Sequence, residues 1–143
     1  MARLPIRWVE ARTHAHATED EARVLQALDL ACDGDPPRRE AFEGHFRNPI
    51  VRLTRHVRDA RAIDATWRRW MAAGLPDELL RDVDGRVDED GVLHFRLDKQ
   101  EAYAGRLSLA RTADSIDVRV RLGAYPATLD SFVRVARSLL EGR

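Results

Sequence analysis

The feature that most constrains this chain is a two-residue alternation of apolar and basic side chains, repeated in several short segments. Alternation places successive side chains on opposite faces of a strand, so it predicts a sheet with one buried and one wet face. Over 6–17, Val9, Ala11, Thr13, Ala15 and Ala17 interleave with Trp8, Glu10, Arg12, His14 and His16. Residues 39–46 and 50–58 read as two strands around Arg47-Asn48-Pro49, and in the second Val51, Leu53 and Val57 alternate with Arg52, Thr54, His56 and Arg58. Segments 92–98, 105–111 and 115–124 repeat the pattern with Leu93, Phe95, Leu97, Leu107, Leu109, Ile116, Val118, Val120 and Leu122 inward.

Between these segments the apolar period changes to that of a helix. Thr18-Glu19-Asp20-Glu21 has the form of a capping box opening a helix that buries Val24, Leu25 and Leu28 and ends at Asp33-Gly34-Asp35-Pro36-Pro37. Asp59 caps a helix over 60–73 with Ile63, Trp67, Trp70 and Met71 on one face, an aromatic stripe that reads as core. Gly74 and Pro76 end it. Residues 77–83 read as a short helix, 84–91 as an acidic loop, 99–103 as a helical turn, and 128–141 as a closing helix burying Leu129, Phe132, Val133, Ala136 and Leu140. The expected architecture is a single α+β domain over 1–143: one antiparallel sheet, with room for a mixed pair, and helices packed on one face.

Length supports that reading, because 143 residues suit one core without a staple. Cys32 is the sole cysteine and reads as a small buried hydrophobe in a reducing compartment. No run of about 18 apolar residues and no leader-like apolar region occurs, so a cytoplasmic location and no membrane partner are expected.

The net charge of zero, from 24 basic and 24 acidic residues, excludes a bulk polycation. It does not exclude a local one. The outward set gathers Arg12, His14, His16, Arg52, Thr54, His56, Arg58, His94, Arg96, Arg106, Ser108, Arg119 and Arg121 against Glu10, Asp98 and Asp117, while most acids fall at helix starts and in loops. Of the 24 basic residues 23 are arginine, and Lys99 alone is lysine. Arginine forms bidentate contacts to phosphate and stacks on bases, so the face is expected to attract RNA with a steep salt dependence.

Catalytic and metal signatures are weak by comparison. His14-x-His16, with His45 or His56, lacks a third ligand at motif spacing, and Asp88-x-Asp90-Gly91 lacks the closing glutamate of a calcium loop. There is no phosphate-binding glycine loop, HExxH or nucleophile elbow. No enzyme activity and no cofactor are expected.

A series of short stretches carries a family likeness: Thr18-Glu19-Asp20 after the first strand, Gly44-His45-Phe46 with Asn48-Pro49-Ile50, Leu97-Asp98-Lys99-Gln100 with Ala102-Tyr103 and Gly105, and Ala124-Tyr125-Pro126. In order and spacing, over roughly residues 6–137, they resemble an archaeal family of predicted RNA-binding, exosome-associated proteins. Relatives of that family adopt a fold like the ribosomal protein that binds 5S rRNA. The resemblance implies RNA binding in RNA processing or translation, with exosome or ribosome-related proteins as companions. Residues 60–141 also read as α-β-β-β-α, as in a double-stranded-RNA-binding domain, but Thr128-Leu129-Asp130 lacks the lysine cluster those domains use.

The residues expected to contact RNA are Arg52, His56, Arg58, Arg96, Arg106, Arg119 and Arg121, with His45, Arg47 and Lys99 at the sheet's edge. The alternative is a non-catalytic assembly protein that forms a homodimer through the open face or a strand edge.

Overall fold

A computed structural model describes residues 3–44 and 46–142. In chain order its elements are β1 (Ile6–His16), α1 (Glu21–Ala31), β2 (Arg38–Glu43), β3 (Pro49–Val57), α2 (Ala60–Ala72), α3 (Leu75–Leu80), α4 (Val83–Arg86), β4 (Val92–Asp98), α5 (Lys99–Tyr103), β5 (Ser115–Leu122) and α6 (Leu129–Leu140). The strands form one antiparallel sheet in the order β2-β3-β1-β5-β4, so the architecture is the expected α+β class. β1 is the centre because its alternation is the longest. Val9, Ala11, Thr13 and Ala15 are all buried, and their small size lets helices approach the middle of the sheet closely.

The core lies between this face and helices α1, α2, α3 and α6. Leu53 and Val57 of β3, Leu93, Phe95 and Leu97 of β4, and Ile116, Val118, Val120 and Leu122 of β5 meet Val24 and Leu28, Ile63, Trp67 and Trp70, and Phe132, Ala136 and Leu140. The aromatic stripe of α2 is core, as its spacing implied. Trp70 lies edge-on to Trp67 at 5.7 Å and to Phe95 at 5.1 Å, and its indole N–H donates to the Ala31 carbonyl at 2.8 Å. A guanidinium joins this layer: Arg55, 4% exposed, turns inward and donates to the carbonyls of Cys32 and Asp35, both at 2.8 Å. It ties the end of α1 to β3 and satisfies the carbonyl of buried Cys32.

Three local expectations change. The first helix starts at Glu21 with Asp20 as its cap, accepting from the Ala22 amide at 3.0 Å, and not at Thr18. Glu19, inside the presumed capping box, is drawn instead to Lys99 and Tyr103. Pro76 does not end a helix but opens α3, where its missing N–H costs nothing; α4 falls in the stretch read as loop.

The third change concerns 105–111, which is not a strand. Gly105 holds φ at +85°, the Arg106 amide still closes the preceding turn onto Glu101, and the segment meets β4 through an isolated bridge between Leu97 and Leu109. Leu107 is nevertheless buried, so the alternation reported burial correctly and pairing incorrectly.

Candidate nucleic-acid interface

The opposite face of the sheet is covered by none of α1, α2, α3 and α6. Strand register arranges its side chains in rows, because directly paired residues share a face. One row runs His56, Glu10, Arg119, His94 across β3, β1, β5 and β4; the next runs Arg38, Thr54, Arg12, Asp117, Arg96 from β2 to β4. A third places Glu40, Arg52 and His14 side by side.

Two aromatic rings are set among these cations. Trp8 lies against His56, with ring centroids 5.0 Å apart, and the Arg119 guanidinium sits 5.6 Å from the Trp8 ring. Phe42, 41% exposed, takes Arg52 at 5.5 Å and the edge of His14 at 6.2 Å. Such cation–π pairs hold a guanidinium plane in place while leaving its outer side open.

Two acids hold the array in register. Glu10, at the centre of its row, reaches Arg119 at 3.5 Å, Arg12 at 3.8 Å and His56 at 3.3 Å. Glu40 reaches Arg38 and Arg52, each at 3.2 Å, and the Arg52 hydrogen bond, chiefly, holds its carboxyl below the usual range. These two carboxylates space four guanidiniums and an imidazole without cancelling them. Three polar atoms in the middle of the face, Arg12 Nε, Arg52 Nε and Thr54 Oγ1, are buried without a protein partner. Burial, then the charges of Arg52 and His16, lower the pKa of His14, so its ring is neutral at pH 7.

At the β4 rim, Gly85 and Arg86 of α4 face His94, Arg96, Asp117 and Arg119 across a cleft of about 400 Å³. Asp88 shapes the adjoining turn: its carboxylate accepts from the amides of Asp90 and Val92 and from His94 Nε2 at 2.7 Å. The Asp88-Glu89-Asp90-Gly91 stretch is therefore a hydrogen-bonded turn.

Arg52, His56, Arg96 and Arg119 of the expected contact set share the open face. Arg121 folds its guanidinium over Phe132 at 5.3 Å and donates to the Leu122 carbonyl. Arg106 follows α5, off the sheet, and pairs with Glu101 at 2.7 Å. Arg58 is exposed just beyond β3, and Arg47 stands in the β2–β3 hairpin with φ at +61°. His45 lies outside the described residues.

Lys99 differs most from its expectation. Its side chain is 1% exposed, and its ammonium donates to the His14 carbonyl at 2.8 Å while lying 2.9 Å from Glu19 and 2.7 Å from Asp114. It stands beside the cluster of His16, Glu19 and Asp114, whose ligand atoms converge as for a metal, and supplies the cation there itself. Glu19 also accepts from the Tyr103 hydroxyl at 2.7 Å and the His16 amide at 3.0 Å; these bonds outweigh burial and lower its pKa. Lys99 thus ties β1, α5 and the 111–114 segment together.

Trp8, Phe42 and Arg38 are features of the face that the contact set omitted. Trp8 was visible at an outward position of β1; Phe42 and Arg38 lie on β2, whose alternation is masked by charge on both sides.

An open antiparallel sheet with helices behind it and guanidinium, imidazole and aromatic groups in front defines a class: a small α+β domain with an arginine- and aromatic-bearing sheet face. Comparison with known proteins gives the family. Residues 8–122 match a protein family described as RNA binding, and this chain belongs to it. The chain is 33% identical over 143 residues to the RNA-binding protein PAB1135 of Pyrococcus abyssi, covering 94% of this chain and 93% of that one. Among solved structures it is similar to protein AF2318 of Archaeglobus fulgidus, with 31% identity, a TM-score of 0.83, and 94% and 99% of the two chains covered. It is likewise similar to Mth689 of Methanothermobacter thermautotrophicus, described as a DUF54 protein, with 33% identity, a TM-score of 0.81, and 94% and 98% covered.

Proposed function

We propose that this chain binds RNA through the open sheet face, with Arg12, Arg38, Arg52, Arg96 and Arg119 on phosphates and Trp8, Phe42, His14 and His56 beside unpaired bases. The observation that carries the reading is the pairing of each exposed-face aromatic with a guanidinium, Trp8 with Arg119 and Phe42 with Arg52, on the sheet face opposite α1, α2, α3 and α6. Aromatic–base stacking contributes about 1–3 kcal/mol per base and suits single strands, loops and ends. Arg58, Arg106 and Arg47 extend the footprint around the rim; Arg121 and Lys99 support it from within, Lys99 by holding the end of β1. The likeness of the family to exosome-associated proteins and to the 5S rRNA-binding ribosomal fold makes RNA processing or translation the setting we favour.

Fluorescence anisotropy with a single-stranded RNA and a hairpin RNA tests the reading. Arg96→Glu with Arg119→Glu is expected to weaken binding by about a hundredfold at low salt, since each charge reversal acts on phosphate directly. Trp8→Ala should weaken the single strand more than the stem. Unchanged affinity in both variants would remove the face from consideration.

A further inference from the structure

A second basic site lies at one end of the sheet, outside the rows described above. It is a pocket of about 560 Å³ whose lining includes four arginines: Arg3 and Arg7 from the start of the chain, Arg58 just beyond β3, and Arg61 from the first turn of α2. Its apolar lining comes from Leu4, Ile6 and Ile63. The fold assembles it in a definite way. β1 and β5 slip register between Ile6 and Trp8, so Arg7 occupies an irregularity of the ladder, and such irregularities re-aim side chains. β3 ends where Val57 pairs with Val9, and Asp59 immediately caps α2, which brings Arg58 and Arg61 to the same end.

The charge at this pocket is unbalanced. Among the described residues none of the four arginines makes an ion pair. The one acid in the lining, Asp64, is engaged by Arg68 at 3.0 Å. Other arginines, among them Arg38, Arg39, Arg52, Arg68, Arg86 and Arg137, lie within 4 Å of a carboxylate, whereas Arg96 and Arg121, like the four at the pocket, have no ion pair among the described residues. Four unpaired like charges around one concavity focus a positive potential into it. The volume suits a single small ligand and the apolar lining suits a base or ribose.

We propose that this pocket binds a nucleotide by its terminal phosphate, a phosphomonoester. Such a group carries nearly two negative charges and three acceptor oxygens, more than an internal phosphodiester, and so makes fuller use of several guanidinium forks. The pocket adjoins the Trp8–His56 end of the open face, since Arg7 precedes Trp8 and Arg58 follows His56 by two residues. An RNA lying on that face can therefore end in the pocket. The nucleotide assignment stands on the pocket alone; its extension to an RNA end rests on the face reading.

Calorimetric titration with AMP and with adenosine tests the pocket. AMP is expected to bind at low salt and adenosine not. Arg58→Glu with Arg61→Glu should weaken AMP by about tenfold or more, while Arg58→Lys keeps much of it and Arg96→Glu with Arg119→Glu leaves it unchanged. Both positions in the double change are exposed, and a circular dichroism melt checks that the fold persists. Equal behaviour of AMP and adenosine, or AMP binding indifferent to the Arg58/Arg61 change, overturns the proposal. A short RNA bearing a phosphate at its 5′ end, its 3′ end or neither then assigns the source. Tighter binding of one phosphorylated form, lost in the Arg58/Arg61 variant, assigns that RNA end. AMP binding with no gain from either end phosphate assigns a free nucleotide. Loss of RNA binding in the Arg96/Arg119 variant with AMP binding retained separates the two sites.

Discussion

Lys99 shows how one residue is decided by its surroundings. Its ammonium is buried against Glu19, Asp114 and the His14 carbonyl, and removing it leaves two carboxylates facing each other without a cation. Lys99→Met is expected to cost about 3 kcal/mol in urea unfolding, the lower end of the range for a broken buried pair because Asp114 retains solvent contact. The same network gives a pH dependence. Glu19 titrates below its ordinary value of 4.5, so its contribution is present above that pH and is lost as pH falls through the folded value. His14 adds to this from higher pH. Its folded pKa lies below 6.5, the unfolded chain therefore binds the proton first, and stability declines as pH drops below 6.5. An NMR titration should place the His14 ring below 6.5 in the free protein and move it upward when RNA phosphate is added. Cys32 is inert by comparison, since burial pushes its thiol up to about 11.

At the scale of elements, the segment 105–111 separates side-chain pattern from backbone pairing. Leu107 is buried beneath it, yet its cross-strand amide bonds are confined to Asp98 to the Ser108 carbonyl and Ala110 to the Arg96 carbonyl, both at 2.8 Å. Hydrogen exchange should find the amides of β1 and β5 slow, Asp98 and Ala110 intermediate, and the remaining amides of 107–113 fast. The two edges of the sheet are managed differently. β4 is partly covered by this segment, whereas β2 is exposed along most of its length and carries Arg38, Arg39, Glu40 and Glu43. Charges on a free edge disfavour pairing with a second copy. Arg39 is further committed to Glu21 of α1 by a two-pronged contact at 3.0 Å.

For the whole molecule, charge distribution matters more than net charge. A chain of formal charge zero presents an arginine-rich sheet face, with three acids, Glu10, Glu40 and Asp117, set within it, and an arginine-lined pocket at one end. RNA affinity is therefore expected to fall linearly in a plot of log K against log salt. Arg96→Glu should reduce the slope by about one for the phosphate contact it removes, whereas a change at Arg55, turned into the core, should alter stability and leave the slope alone. The sequence by itself determined the α+β class, five of the six helices in outline, all five strands together with a sixth at 105–111 that does not form, the aromatic core of α2 and the gathering of arginines on one sheet face. These follow from periods of 2 and 3.6 residues and from turn chemistry, all of which are local. Only the tertiary structure decided which partner each basic residue has. Lys99 meets Glu19 across 80 positions, Glu10 meets Arg119 across the β1–β5 ladder, Arg121 covers Phe132, and Arg55 turns inward where alternation offered no reason for a charge. A guanidinium's partner is set by where distant elements pack, and neither its own residue type nor its neighbours in sequence carry that information.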